Sequence, residues 1–87
     1  MFAATFDEGW PTFFNALDSV MKERVAKKIR KILEHPKKRH MRQNARFFVD
    51  EVGQYRITYR VFESQNEVRF YFVGDHKEYE NWFLGFN

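Results

Sequence analysis

Apolar residues recur along this chain with two periods, and the switches between them mark its elements. Phe2, Ala4 and Phe6 alternate with smaller or polar residues, which predicts a short first strand. Trp10, Phe13, Phe14 and Leu17 then recur at three- and four-residue spacing, one face of a helix that Asp7 can cap. Pro11 falls in the first turn, where its missing N–H leaves no intrahelical bond unmade. Asp18 and Ser19 form a tight junction, and a second helix follows over 20–34. Val20, Met21, Val25, Ile29, Ile32 and Leu33 are its apolar positions; Lys22, Arg24, Lys27, Lys28, Arg30 and Lys31 fill the other sides. His35-Pro36 ends it, because the residue before a proline avoids the α region. Two amphipathic helices joined so briefly predict an antiparallel hairpin over one face of a sheet. Residues 37–44 have no clear period and predict a loop, with Met41 as the only large apolar residue to tuck it down.

From residue 46 the chemistry becomes that of strands. Residues 46–52, 55–63 and 68–73 are rich in aromatic and β-branched side chains, with Gly53-Gln54 and Ser64-Gln65-Asn66 as turns between them. Connections this short require antiparallel neighbours. Gly74 is expected to break the last strand. Asp75 then stands at a helix N-cap with Glu78 three residues on, a capping box, and His76, Tyr79 and Phe83 share one side of a short C-terminal helix. The order is β-α-α-β-β-β-α. It predicts an α+β fold, a helical hairpin packed on an antiparallel-rich four-stranded sheet with a short C-terminal helix. Residues 1–87 form one domain, with no internal repeat or linker.

Strand alternation assigns the two faces of this sheet. Tyr55, Ile57, Tyr59 and Val61 should face the helices, leaving Arg56, Thr58, Arg60 and Phe62 on the open side. Val68, Phe70 and Phe72 form the next strand's apolar set, with Arg69 and Tyr71 opposite them. A two-residue turn at Gly53-Gln54 pairs Val52 with Tyr55, Glu51 with Arg56 and Val49 with Thr58, and sets Phe47 opposite Arg60. Arg56, Arg60, Arg69 and Tyr71 then share an exposed concave surface near His76, with Glu51 among them.

Charge sharpens this picture. Between Lys22 and Arg46 lie eleven Lys or Arg against only Glu23 and Glu34, while the rest of the chain carries four basic and ten acidic residues. A basic face on a mildly acidic body favours polyanions, either nucleic acid or an acidic protein segment. Aromatic residues make up 20% of the chain and supply a small core with large buried areas. There is no cysteine, so disulfides and thiolate metal sites are excluded. His35 and His40 have no ligand-type spacing to His76, and no metal or other cofactor is expected. No apolar run approaches the ~20 residues of a membrane span, and the N-terminus has no basic region before an apolar block. A cytoplasmic protein is expected.

Three stretches carry a resemblance. Val52-Gly53-Gln54-Tyr55-Arg56-Ile57-Thr58-Tyr59 is similar to V-G-x-Y-R-[IV]-x-Y, and Val73-Gly74-Asp75-His76-Lys77-Glu78-Tyr79 to V-G-x-[HR]-x-x-Y. The third is the helical hairpin running into Ile32-Leu33-Glu34-His35-Pro36. In this order and spacing the chain resembles the RelE/ParE-type toxins of toxin–antitoxin pairs over nearly its whole length. The resemblance implies a metal-independent endoribonuclease that cleaves messenger RNA on the ribosome and is neutralised by a cognate antitoxin. Arg56 would hold the scissile phosphate, and His76 would move a proton, since histidine exchanges protons near neutral pH. Tyr79 would stack on a base or donate to the leaving oxygen. Arg60, Arg69 and Tyr71 on the sheet, with Lys27, Lys28, Lys31, Lys37, Lys38, Arg39 and Arg42 on the basic segment, would contact RNA. The sequence departs from the family where nucleases carry basic residues on the strand before the hairpin, since Phe47, Val49 and Glu51 stand there. Glu51 is either a general base or a counterion to Arg56. The departure leaves a second reading open: a binding module without catalysis, either a ParE-like gyrase inhibitor or a toxin that only holds its antitoxin.

Overall fold

The computed structural model describes residues 1–36 and 47–85, and within them the elements follow the expected order. Strand β1 covers Ala3–Phe6, helix α1 Trp10–Asn15 and helix α2 Ser19–Glu34. Strand β2 covers Phe48–Val52, β3 Tyr55–Phe62 and β4 Glu67–Asp75, and helix α3 covers His76–Leu84. The sheet order is β1-β4-β3-β2, with β1 parallel to β4 and the other pairs antiparallel. The predicted loop over 37–44, with Met41, lies outside the described residues.

Local chemistry explains the element ends. Asp18 accepts a 2.8 Å hydrogen bond from the Met21 N–H and caps α2. Asp75 and Glu78 close both bonds of the capping box, each at 2.8 Å. Gly53 takes φ +59° while Gln54 does not, the pattern of a two-residue type II′ hairpin. A short 3₁₀ turn over Glu63–Gln65 and a left-handed Asn66, φ 54°, join β3 to β4.

The main core lies between α1, α2 and one face of the sheet. Val25, Ile32, Ile57, Val68 and Phe70 are fully buried there, and each aliphatic side chain contributes about 1.5–3 kcal/mol by leaving water. Val20, predicted on the apolar face of α2, is 70% exposed; it stands in the first turn, away from the sheet. A smaller cluster of Val49, Phe72 and Tyr79 lies on the other face, under α3, with Trp82 and Phe83 packed against it.

Two expectations about β4 need correction. Gly74 does not break the strand, which pairs on through Asp75, opposite Tyr55. A glycine is required because a Cβ there would lie 2.6 Å from Phe72 Cζ and 2.9 Å from Glu78 Oε1. Nor does Phe72 join the face of Val68 and Phe70. Thr58 pairs with Phe72 but Tyr59 pairs with Phe70, so Tyr71 is an extra residue, a bulge. The bulge carries Phe72 to the α3 side, where Trp82 stacks on it at 5.2 Å.

Candidate functional site

The expected hairpin register holds: Val52 pairs with Tyr55, Glu51 with Arg56 and Val49 with Thr58. Across β3, Arg56 pairs with Gly74, two residues before His76. Strand pairing alone therefore brings Arg56, Glu51 and His76 to one end of the sheet. They line an open cleft of about 490 Å³ with Gly53, Gln54, Tyr55, Asp75 and Lys77.

Each candidate side chain in this cleft has a neighbour that shapes it. Arg56 is largely covered, at 17% exposure, and its Nε lies 3.8 Å from Glu51 Oε2. Its guanidinium rests 5.1 Å from the centre of the Tyr79 ring, a cation–π contact. Tyr79 is itself buried, 1% exposed, and stacks on Phe83 at 5.9 Å. The tyrosine supports Arg56 from below and presents no face to solvent. His76 is 60% exposed, and its Nε2 lies 3.2 Å from Glu80 Oε2, one turn along α3.

The other expected contacts separate into three groups. Arg60 lies over Phe47 at 5.0 Å and over Tyr71 at 5.9 Å, in an aromatic cluster that Trp82 extends by packing on Phe47 at 5.0 Å. Arg69 lies at the β1 side of the sheet, bound to Glu67 at 2.8 Å and stacked over Phe62 at 5.1 Å. The Thr5 hydroxyl also donates to Glu67. That bond, with Arg69's hydrogen bond and charge added, holds the Glu67 carboxyl below its usual range, and the bond to Glu67 raises Arg69. Lys27, Lys28 and Lys31 line a separate groove between α2 and Val52. Lys37, Lys38, Arg39 and Arg42 lie outside the described residues. Among the described residues no three His, Asp or Glu side chains converge to hold a metal ion.

Sequence reasoning missed Lys77 and Arg24. Lys77 follows His76 directly and lines the same cleft. Arg24 lines the α2 groove. Its signal was legible, because residues 24, 27, 28 and 31 fall on one helical row.

No family model and no curated protein matches the sequence at a significant level. Solved structures do. The isolated E. coli RelE toxin is 21% identical, with both chains covered in full and a TM-score of 0.76. The intact E. coli RelBE toxin–antitoxin complex matches at 24% identity, over 86% of this chain and 96% of that one, with a TM-score of 0.76. The RelBE2 toxin–antitoxin complex from Mycobacterium tuberculosis matches at 18% identity, over 86% of this chain and 98% of that one, with a TM-score of 0.75. The chain has the RelE fold. The strand positions at which a nuclease is expected to be basic hold Phe47 and Val49, each 4% exposed, and Glu51. Val49 packs under α3 with Phe72 and Tyr79, so this part of the RelE sheet is filled by apolar side chains.

Proposed function

We propose that this chain is the toxin of a type II toxin–antitoxin pair and cleaves messenger RNA on the ribosome. The observation that carries the reading is the cleft of Arg56 and His76, joined by strand pairing on a RelE fold. Arg56, propped on Tyr79, holds the scissile phosphate and offsets the charge that develops on it. The 2′-hydroxyl attacks that phosphorus; the new 2′-O–P bond forms as the bond to the 5′-oxygen breaks. Glu51, across the hairpin from Arg56, takes the 2′-hydroxyl proton. His76 gives a proton to the departing 5′-oxygen. The products are a 2′,3′-cyclic phosphate and a 5′-hydroxyl. Solved RelE-fold toxins form complexes with RelB-type antitoxins, and a cognate antitoxin is proposed for this chain in the cytoplasm.

A second reading is a toxin fold that binds its antitoxin without cleaving RNA. Burial of Phe47 and Val49 favours it, since neither can supply charge to a phosphate. Induction of the wild type, Arg56→Ala and His76→Ala without antitoxin, followed by primer extension on translated messages, separates the two. Cleavage within codons that both variants lose supports the nuclease. Intact messages together with antitoxin capture support the second reading, and growth arrest with DNA damage assigns gyrase as the target.

A further inference from the structure

The α2 groove carries more uncompensated charge than the Arg56 cleft. In the cleft, Arg56 faces Glu51 and His76 faces Glu80, which leaves Lys77 as the one cation without a carboxylate partner among the described residues. In the groove, Lys28 is tied to Asp50 at 3.9 Å, but Arg24, Lys27 and Lys31 have no carboxylate within ion-pair distance among the described residues. Glu23 stands four residues before Lys27, yet the two do not pair. Uncompensated cations on one helical row span about 10 Å at 1.5 Å per residue. Such a row concentrates anions.

The groove also adjoins the cleft. Val52 forms part of its wall, and the next residue, Gly53, lines the cleft on the other side of the β2–β3 hairpin. Arg24 reaches this ridge: a Cβ on Gly53 would lie 3.2 Å from Arg24 Nη2. A glycine at the turn keeps the ridge low. Among the described residues Val52 is the groove's only apolar lining residue. A bound peptide draws affinity from buried apolar anchors, of which the described lining offers Val52 alone, whereas a phosphodiester chain binds through charge alone.

We propose that the groove between α2 and the edge of β2 is a track for single-stranded polynucleotide, which passes over the hairpin into the Arg56–His76 cleft. Arg24, Lys27 and Lys31 neutralise its phosphates. The proposal rests on the reading of the cleft as an RNA site and adds where the strand enters.

The test is fluorescence anisotropy of the full chain with a labelled single-stranded oligonucleotide carrying 2′-O-methyl sugars, which cannot be cleaved by 2′-hydroxyl attack. Affinity is measured across salt concentrations for the wild type and for Arg24→Ala/Lys27→Ala/Lys31→Ala, with circular dichroism melts to establish that the variant is folded. Each phosphate neutralised on a single strand contributes about 0.7 to the slope of log K against log salt, so the triple variant should lose about two from that slope. An unchanged slope overturns the proposal. So does displacement of the oligonucleotide by polyglutamate more readily than by polyuridylate, which would assign the groove to an acidic protein segment. Primer extension on the same proteins tells the two ideas apart. A wild type that cleaves messages beside a triple variant that binds and cleaves equally well removes the track and leaves the cleft. A wild type that neither binds nor cleaves removes both.

Discussion

Thr58 sits mid-strand in β3 with its side chain in the layer between the sheet and α3, opposite Val49 on one side and Phe72 on the other. It is fully buried, and its hydroxyl has no hydrogen-bond partner among the described residues. In the unfolded chain water satisfies that hydroxyl. On folding it loses those bonds and gains none, at a cost of about 1–3 kcal/mol. Valine has the same shape and branching, keeps the strand preference, and replaces the hydroxyl with a methyl group that belongs in an apolar layer. Thr58→Val should therefore stabilise the chain by about 1–2 kcal/mol, taking the lower part of that range because the layer relaxes partly around the hydroxyl already. In a domain of this size about 1 kcal/mol moves Tm by about 4–8 °C, so a rise of roughly 4–16 °C is expected. Urea melts should show a higher midpoint with an unchanged slope. Thr58→Ser provides the control: it keeps the hydroxyl, loses the methyl, and should fall below the wild type. The expected order is Val, Thr, Ser. A Thr58→Val midpoint at or below wild type would mean that the hydroxyl is satisfied in solution, and the account of the α3 layer would be wrong.

Three further outcomes follow from the contacts. Tyr79→Phe keeps the ring under Arg56 and should retain oligonucleotide affinity, whereas Tyr79→Leu removes a cation–π contact of about 0.5–2 kcal/mol and should weaken it; message cleavage lost in a folded Tyr79→Phe would show instead that the hydroxyl takes part in the chemistry. Glu51→Gln removes the carboxylate beside Arg56 and should tighten oligonucleotide binding by about 0.2–1 kcal/mol while abolishing cleavage; a rise in both would make Glu51 a counterion and not the base. Glu67 is held below its ordinary value of 4.5 by Thr5 and then Arg69, so its stabilising effect is present above that value and disappears as pH falls through the lowered one. Glu67→Gln should be less stable than wild type at neutral pH, and the gap should close in acid; equal gaps in denaturant melts at pH 3 and pH 7 would contradict this linkage.

The parts of the fold that were legible in the sequence are those set by local chemistry. Gly53 marks a two-residue hairpin, and that turn fixed the pairing of Glu51 with Arg56 correctly. Asp75 and Glu78 mark the start of α3, and both bonds of the capping box are present. The bulge at Tyr71 left no such mark. Residues 68–73 read as an alternating strand, and nothing in their composition says that one of them has no partner. Its consequence is nonlocal, because Phe72 changes face only where α3 and Val49 wait to cover it. The spacing of His76, Tyr79 and Phe83 on α3 was legible, but the depth of Tyr79 was not. Its burial depends on Arg56 arriving from β3 to lie on the ring.

The two halves of this surface carry their charge differently, and the apolar layer explains why. Where Phe47 and Val49 stand on the sheet, apolar side chains pack under α3 and supply no charge of their own, and the cation beside them, Arg60, lies on the Phe47 ring. Among the described residues the cleft holds Arg56, His76 and Lys77 against Asp75 and Glu51, with Glu80 close to His76. A cleft so nearly balanced draws little affinity from long-range attraction, so binding must come from elsewhere on the molecule. The uncompensated row on α2 lies across one hairpin from it. Affinity placed on the helix and chemistry placed on the sheet predict separable defects: loss of the α2 cations should raise the RNA concentration needed for half-maximal cleavage, and loss of His76 should lower the maximal rate. Single-turnover cleavage of a ribosome-bound message measures both quantities, and a helix variant that lowers the rate alone would refute this division.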